Sequence, residues 1–129
     1  MEYRTVKSED YEAVRQFLAK NGWEKRVADK ERFQTMMENA DRTIVAFEGE
    51  RVVGFARALC DGVSNGYIGT VAVAEDFRRR GIGRELVERL IGDDTNITWV
   101  LRAGRGSREF WEKMGFTASN IAMEKTRGT

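Results

Sequence analysis

The sequence predicts a single domain, residues 1–129, of the α/β class (an α+β mixed sheet), in which helices pack on a sheet of parallel and antiparallel strands. Three observations predict it. The length of 129 residues suits one compact domain. Apolar residues recur with helical spacing in some segments and with strand character in others. A hairpin is followed by a strand–helix–strand unit, so the predicted order is β-α-α-β-β-β-α-β-α-β.

The first 40 residues are predicted to form one strand and two helices. A strand over residues 3–7 precedes Ser8, whose hydroxyl is suited to cap the first helix. Gly22 ends that helix. The second helix is predicted to begin near Asp29, because apolar residues recur after it at helical spacing.

The middle of the chain is predicted to form three strands. Residues 43–48 and 52–59 flank the turn-forming Gly49, which indicates an antiparallel hairpin. Turn residues around Asp61 then lead into residues 67–73, whose apolar and β-branched content is typical of a central strand.

The last third is predicted to form a helix, a strand, a short helix and a final strand. The first of these helices begins at Gly81 and carries its apolar side chains on one face. The strand at 97–101 follows it, so the two strands that flank this helix are expected to be parallel. A short helix over 108–114 precedes a tail, 116–125, that is predicted to return as the last strand.

The composition excludes several classes of protein. Hydrophobic residues make up 41%, charged residues 33%, and the net charge is +1, which is typical of a folded chain without generic attraction to nucleic acid. There is no histidine, which excludes His-dependent triads and His-ligated metals. The lone Cys60 is expected to be a structural thiol. Without a signal-peptide pattern or a long apolar run, we expect a cytoplasmic protein.

The most informative stretch is an arginine- and glycine-rich loop that leads into a helix. Its residues are Arg78, Arg79, Arg80, Gly81, Ile82, Gly83 and Arg84. Unpaired amides at a helix N-terminus, glycines and guanidinium groups together suit a pyrophosphate. A Rossmann fingerprint is excluded because its third glycine would fall at Leu86, and a P-loop because no Gly-Lys-Ser/Thr follows. By itself the pattern also fits a basic loop without a ligand.

A second motif separates these readings. The loop matches the pattern Arg/Gln-x-x-Gly-x-Gly/Ala, and residues 110–116, Phe-Trp-Glu-Lys-Met-Gly-Phe, are similar to the signature Phe-Tyr-x-Lys-x-Gly-Phe. With the order of elements, the chain resembles the GNAT N-acetyltransferase superfamily over nearly its whole length. The resemblance implies acetyl-CoA as co-substrate, no metal, and transfer of the acetyl group by direct attack of a primary amine of a small molecule or peptide.

The resemblance also implies where coenzyme A binds. Backbone groups of Val71, Ala72 and Val73 would pair with the pantetheine arm, while the side chains of these residues are ordinary core candidates. The loop would hold the pyrophosphate, mainly through its amides. Phe110 and Trp111 would lie beside the arm of the cofactor.

The chain departs from the family pattern at the proton carriers. Trp111 stands where the family often has a tyrosine acid, Gly104 where it often has an asparagine, and Tyr67 near the position of a glutamate base. A thiol with a reference pKa of about 8.5 can leave without an acid. The candidate bases are Asp61, acting through water, and Tyr67. Asp61 equally fits a turn-forming aspartate.

The acceptor is expected to bind between the segment after the first helix and the loop that precedes the central strand. Trp23 and Asp61 are the candidate contacts, although Trp23 also fits simple core packing. The missing proton carriers leave a second hypothesis open, a non-catalytic acyl-CoA-binding sensor or interaction module. We expect no nucleic-acid or membrane partner, and a homodimer remains open.

Overall fold

The computed structural model of the chain describes residues 1–104 and 106–128. Within these ranges the helices and strands are β1 (Glu2–Arg4), α1 (Tyr11–Leu18), α2 (Lys30–Asn39), β2 (Arg42–Glu48), β3 (Arg51–Cys60), β4 (Asn65–Val73), α3 (Ile82–Ile91), β5 (Thr98–Leu101) and α4 (Arg108–Lys113). The strands form one sheet in the order β1-β2-β3-β4-β5. The β4–β5 pair is parallel and the other pairs are antiparallel, which confirms the mixed α/β class.

Helices cover both faces of the central strand β3. Its residues 52–56 are all buried, which requires cover on both sides because successive side chains point to opposite faces. On one face, a side chain at Gly54 would meet Leu86 of α3 at 3.0 Å. Helix α1 also packs against β3 and buries Val14 completely. We therefore assign α1 to the face opposite α3.

The first helix begins differently from the prediction. The hydroxyl of Ser8 makes no capping bond, and Ser8–Asp10 form a single 3-10 turn. The carboxylate of Asp10 instead accepts hydrogen bonds from the Lys7 amide at 2.8 Å and from Arg4 at 2.7 and 3.0 Å. The bonds from Arg4 hold the pKa of this buried carboxyl below its ordinary value. A charged acceptor is the stronger anchor, and it replaces the hydroxyl here.

Other predicted boundaries agree with the structure. Gly22 has a φ of 106° in the irregular turn that follows α1, and Gly49 has a φ of 61° in the hairpin. Asp29 caps α2 by accepting a hydrogen bond from the amide of Arg32 at 3.1 Å. In the part of the chain that the structure describes, no helix is long and apolar enough to cross a membrane.

The predicted final strand does not form, since residues 117–128 contain no strand. The hydroxyl of Ser119 accepts hydrogen bonds from the amides of Ile121 and Ala122 at 3.2 Å each. These local bonds compete with a ladder for the same amides. Ile121 and Met123 are 86% and 96% exposed, so no core is available to hold the tail in the sheet.

Candidate active site

Strands β4 and β5 diverge halfway along β4. The ladder pairs residues 65–68 with β5, while β4 continues to Val73 paired with β3 alone. Over residues 69–73 the outer edge of β4 therefore lacks a partner strand within the described ranges. Backbone N–H and C=O groups on such an edge are available to a ligand. The edge contains Val71 and Ala72, where the resemblance puts the pantetheine arm.

The loop after β4 forms a cradle of free amides at the start of α3. Gly81 precedes the helix with a φ of 82°. The amides of residues 79–84 donate no hydrogen bond to any described atom, whereas the amide of Glu85 donates to the Gly81 carbonyl at 3.0 Å. The dipole of this ten-residue helix adds positive potential at the same place. The arrangement suits a phosphate group.

The arginines of the loop differ in the contacts that their side chains make. Arg78 donates from Nε to the carbonyl at the end of β4 at 3.3 Å, and Arg80 lies 4.7 Å from the centre of the Phe77 ring. Arg79 has a φ of 65°, a left-handed conformation that costs a non-glycine residue about 1–2 kcal/mol. None of these three, nor Arg84, pairs with a carboxylate in the described part of the chain. Their charge is therefore available to an anion.

Asp76, an acidic residue just before the loop, is already paired with an arginine outside the loop. Asp76 accepts two hydrogen bonds from Arg51 of β3, each at 2.9 Å. These bonds lower the pKa of Asp76. Because Arg51 neutralises Asp76, the loop keeps its positive charge.

Gly83 allows α4 to approach α3. A Cβ atom on Gly83 would lie 3.2 Å from the ring of Phe110 and 3.7 Å from the side chain of Val73. Phe110 is therefore placed beside the end of β4. Trp111 is instead buried in the core, with edge contacts to Phe110 and Phe116 at ring-centre distances of 4.9 and 5.2 Å. The two residues of the second motif thus lie in different surroundings.

Asp61 is held in the loop between β3 and β4. Its carboxylate accepts hydrogen bonds from the amides of Val63, Ser64 and Asn65 at 2.9, 2.7 and 3.2 Å, and from the Ser64 hydroxyl. These bonds, led by that from the hydroxyl, hold the pKa of Asp61 well below its ordinary range. A general base works best with a pKa near the working pH. The contacts favour the turn-forming role of Asp61.

Tyr67 lies on the sheet face opposite α3. It pairs with Leu59 on one side and Val100 on the other, so the three side chains form a row across β3, β4 and β5. Leu59 and Val100 are 42% and 44% exposed. This row, called here the apolar floor, is open to solvent and begins where β4 and β5 diverge. It offers a surface on which an acceptor could lie.

Trp23 is the last residue of the irregular turn that follows α1. Its side chain is half-buried and packs against the hydrophobic core, while its carbonyl accepts hydrogen bonds from the amides of Arg26 and Val27 at 3.0 and 3.1 Å. These contacts favour the packing role of Trp23.

Arg57, which belongs to neither sequence motif, lies next to this floor. Arg57 and Leu59 point to the same face of β3, because side chains two apart share a face. The Arg57 guanidinium lies over Gly69, with Nη2 2.5 Å from where a Cβ of Gly69 would stand. The available signal was a charged residue inside the otherwise apolar run of residues 52–58.

The chain is similar to known proteins in sequence and in fold. The family model of the acetyltransferase (GNAT) family matches residues 6–116. The PanD regulatory factor of Salmonella typhimurium is 33% identical over 95 residues, which cover 69% of this chain and 74% of that protein.

Solved structures extend the likeness to the whole fold. An acetyltransferase of Trypanosoma brucei has a TM-score of 0.71 at 22% identity, over 98% of this chain and 99% of that one. An aminoglycoside acetyltransferase from an uncultured soil metagenomic sample has a TM-score of 0.74 at 19% identity, over 98% of each chain. At such identities the likeness establishes the fold alone.

Proposed function

The chain belongs to the acetyltransferase (GNAT) family, and from this premise we propose that it transfers the acetyl group of acetyl-CoA to a primary amine of a small molecule or peptide. One observation carries the proposal. Among the described residues, the edge of β4 over residues 69–73 has no partner strand, and one turn later the chain presents free helix amides and arginines without a carboxylate partner. This sequence of groups suits a long ligand that has amides in its arm and a pyrophosphate at its end.

The described residues fit coenzyme A along its length. The edge of β4 at Val71, Ala72 and Val73 would pair with the amides of the pantetheine arm. The amides of residues 79–84 would hold the pyrophosphate, and Arg79 would add charge. Bound acetyl-CoA supplies an activated acetyl group. In the part of the chain that is described, no group of three or more His, Cys, Asp or Glu side chains could hold a metal ion.

The protein's task in the transfer is to orient the amine and to remove its proton. In our proposal Tyr67, on the apolar floor beside the diverging strands, relays that proton through water. Asp61 is the alternative relay, although its carboxylate is engaged by the turn. Trp111 is buried and its indole N–H does not transfer protons at neutral pH, so it packs. The leaving thiol needs no acid at its reference pKa of about 8.5.

The test is to incubate the protein with acetyl-CoA and a panel of amines, peptides and aminoglycosides, and to follow the release of free thiol. A reaction without amine measures background hydrolysis. Thiol release that depends on one class of amine, with the acetylated product identified by mass, is expected. Tight binding of acetyl-CoA without thiol release for any amine would contradict the enzymatic proposal.

A second candidate function is a non-catalytic regulator that binds acyl-CoA. Two observations favour it: the 33% identical relative is named a regulatory factor, and Trp111 and Gly104 replace the usual proton carriers. In that case the partner would be a protein, and PanD is the one to try first. A complex between this chain and PanD from the same source, seen by sedimentation only when coenzyme A is present, would support it.

A further inference from the structure

We propose that Arg57 binds a carboxylate on the acceptor, so that the amines acetylated here are amino acids or other amines that carry a carboxylate. The inference rests on the proposed function, because it names the acceptor class of the same site. Its basis is an arginine of strand β3, which lies outside the arginine loop.

The position of Arg57 results from an irregularity in the β3–β4 ladder. Arg57 pairs with Thr70 and the next residue, Ala58, pairs with Ile68, so Gly69 is an extra residue in β4. Because Gly69 has no side chain, the guanidinium of Arg57 lies directly against its backbone. Ile68 is also the last residue of β4 that pairs with β5. The charge therefore lies where the two strands begin to separate.

Among the arginines of the sheet, Arg57 alone has a buried side-chain nitrogen without a hydrogen-bond partner in the described residues. Its Nε is buried and has no hydrogen-bond partner, and no described carboxylate pairs with it. Arg4 and Arg51 instead hold Asp10 and Asp76. Burial lowers the pKa of the Arg57 guanidinium, which means that its charge is poorly compensated. A buried cation without a partner is costly, and an anionic ligand would remove that cost.

The surroundings favour a carboxylate over a phosphate. The guanidinium is planar and offers paired donors that match the two oxygens of a carboxylate. Apart from burial, the interaction that shifts the pKa of Arg57 is with Tyr67, and no second cation among the described residues contributes to that shift. One positive charge matches a singly charged carboxylate. A phosphate dianion has its own match in the arginine loop.

Arg57 also lies at the right place relative to the apolar floor. It shares the sheet face of Leu59 and Tyr67, which is half-exposed and opposite α3. An acceptor held by its carboxylate at Arg57 would rest its carbon skeleton on this floor. Its amine would then lie near Tyr67, the proposed proton relay.

The test compares matched acceptors that differ in one group. Thiol release is measured with acetyl-CoA and each amino acid or dipeptide, and then with the corresponding C-terminal amide. We expect the best carboxylate acceptor to exceed its amide in kcat/KM by about 10- to 100-fold, as for a charge-assisted hydrogen bond. Arg57→Gln is expected to remove this preference, because it should lower kcat/KM for the carboxylate acceptor far more than for the matching amide.

Two further variants keep the test decisive. Gly69→Ala places a methyl group where the guanidinium lies, so it should also reduce the preference for the carboxylate while the charge is retained. Arg89→Gln is the control, because Arg89 pairs with Glu85 on the surface of α3 and should not alter the preference.

The outcomes separate this inference from the proposed function. Transfer without preference for the carboxylate, or an equal loss on both acceptors in Arg57→Gln, would overturn the inference and leave the acetyltransferase proposal standing. Absence of transfer to every amine would remove the proposed function. Calorimetric titration of the same amino acids into protein saturated with coenzyme A then decides the site: binding lost in Arg57→Gln supports it, and absence of binding overturns it.

Discussion

The arginine loop and the apolar floor present ligand groups of different kinds. The loop offers main-chain amides from the consecutive residues 79–84, and exposed arginines surround them. The floor offers side chains from three strands, with the half-buried Arg57 at its end. Main-chain groups are available whatever side chains are present, so the loop suits a cofactor common to a family. Side-chain groups change with every substitution, so the floor suits the choice of acceptor.

The two regions also differ in electrostatics. The loop arginines are exposed, and salt screens their attraction for a distant anion. Arg57 has a buried Nε and acts at short range, where screening is weaker. Binding of the cofactor should therefore depend on ionic strength more than the choice of acceptor does. Variants in the two regions test this division.

Gly83→Val is expected to have the largest effect. The added side chain would point at Phe110, whose ring lies 3.2 Å from the position of the new Cβ, so the first turn of α3 or α4 must shift. We expect overpacking to destabilise the fold by about 1–3 kcal/mol. Displacement of the free amides should weaken binding of acetyl-CoA by about 100-fold, measured by calorimetry. Gly128→Val, in open space in the tail, is the control.

If Gly83→Val folds and binds acetyl-CoA with unchanged affinity, the main-chain cradle is not the cofactor site. The proposed division, with main-chain groups for the cofactor and side chains of the apolar floor for the acceptor, would then lose its first half.

Replacement of Arg78, Arg79 and Arg80 by Gln should have the next largest effect. These side chains have no carboxylate partner among the residues described, so their charge is available to the cofactor. We expect binding of coenzyme A to weaken by about 10- to 100-fold and to lose most of its salt dependence. Dephospho-coenzyme A should lose less affinity, because one arginine would serve the 3′-phosphate. Equal losses for both ligands would contradict that role.

Trp111 tests whether the second motif serves packing or proton transfer. The side chain is 7% exposed, so Trp111→Ala should destabilise the fold by about 3–5 kcal/mol in chemical denaturation. Trp111→Phe should keep most of the turnover, and Trp111→Tyr should give no large gain. A gain of about 100-fold with tyrosine would show that the site merely lacks its acid. The second motif, residues 110–116, would then take part in transfer to the acceptor as well as in binding of the cofactor.

Asp61→Asn should have the smallest effect on transfer. The hydrogen bonds of the turn, led by that from the Ser64 hydroxyl, hold the pKa of Asp61 below its ordinary value, so Asp61 is a poor general base. We therefore expect the rate of transfer to change by less than about threefold, whereas the loss of a working general base would lower it by about 100-fold. A carboxylate with a lowered pKa stabilises the fold above its unfolded value of about 3.9. The difference in stability between wild type and variant should therefore shrink as the pH falls further below that value. Equal differences at pH 7 and in acid would contradict this.

The arginine loop, which we propose binds the cofactor, could be predicted from the sequence because it is local. The loop at 78–84 is contiguous, and a strand that leads into a glycine-marked helix implies free amides at the helix start. The role of Gly83 was only half predicted. The absence of a side chain at Gly83 makes room for the ring of Phe110. This residue is 27 positions away in the chain and contacts Gly83 only in the folded protein.

The predicted last strand, by contrast, depends on contacts that are not local in the sequence. Residues 116–125 have a composition that a strand would tolerate, but a strand needs a partner edge and a core to cover it. The tail finds local hydrogen bonds at Ser119, and an ion pair between Arg102 and Glu124 at 3.0 Å. Neither these hydrogen bonds nor the ion pair can be predicted from the pattern of apolar residues.

The family, the order of the elements up to α4 and the place of the arginine loop could be predicted from the sequence alone, because periodicity and short motifs act over a few consecutive residues. The apolar floor and the place of Arg57 beside it became visible only in the folded sheet. The extra residue in β4 at Gly69 sets which side chains share a face, and it brings Arg57 to the point where β4 and β5 separate. Such a juxtaposition depends on register between strands, and register is a property of the folded sheet.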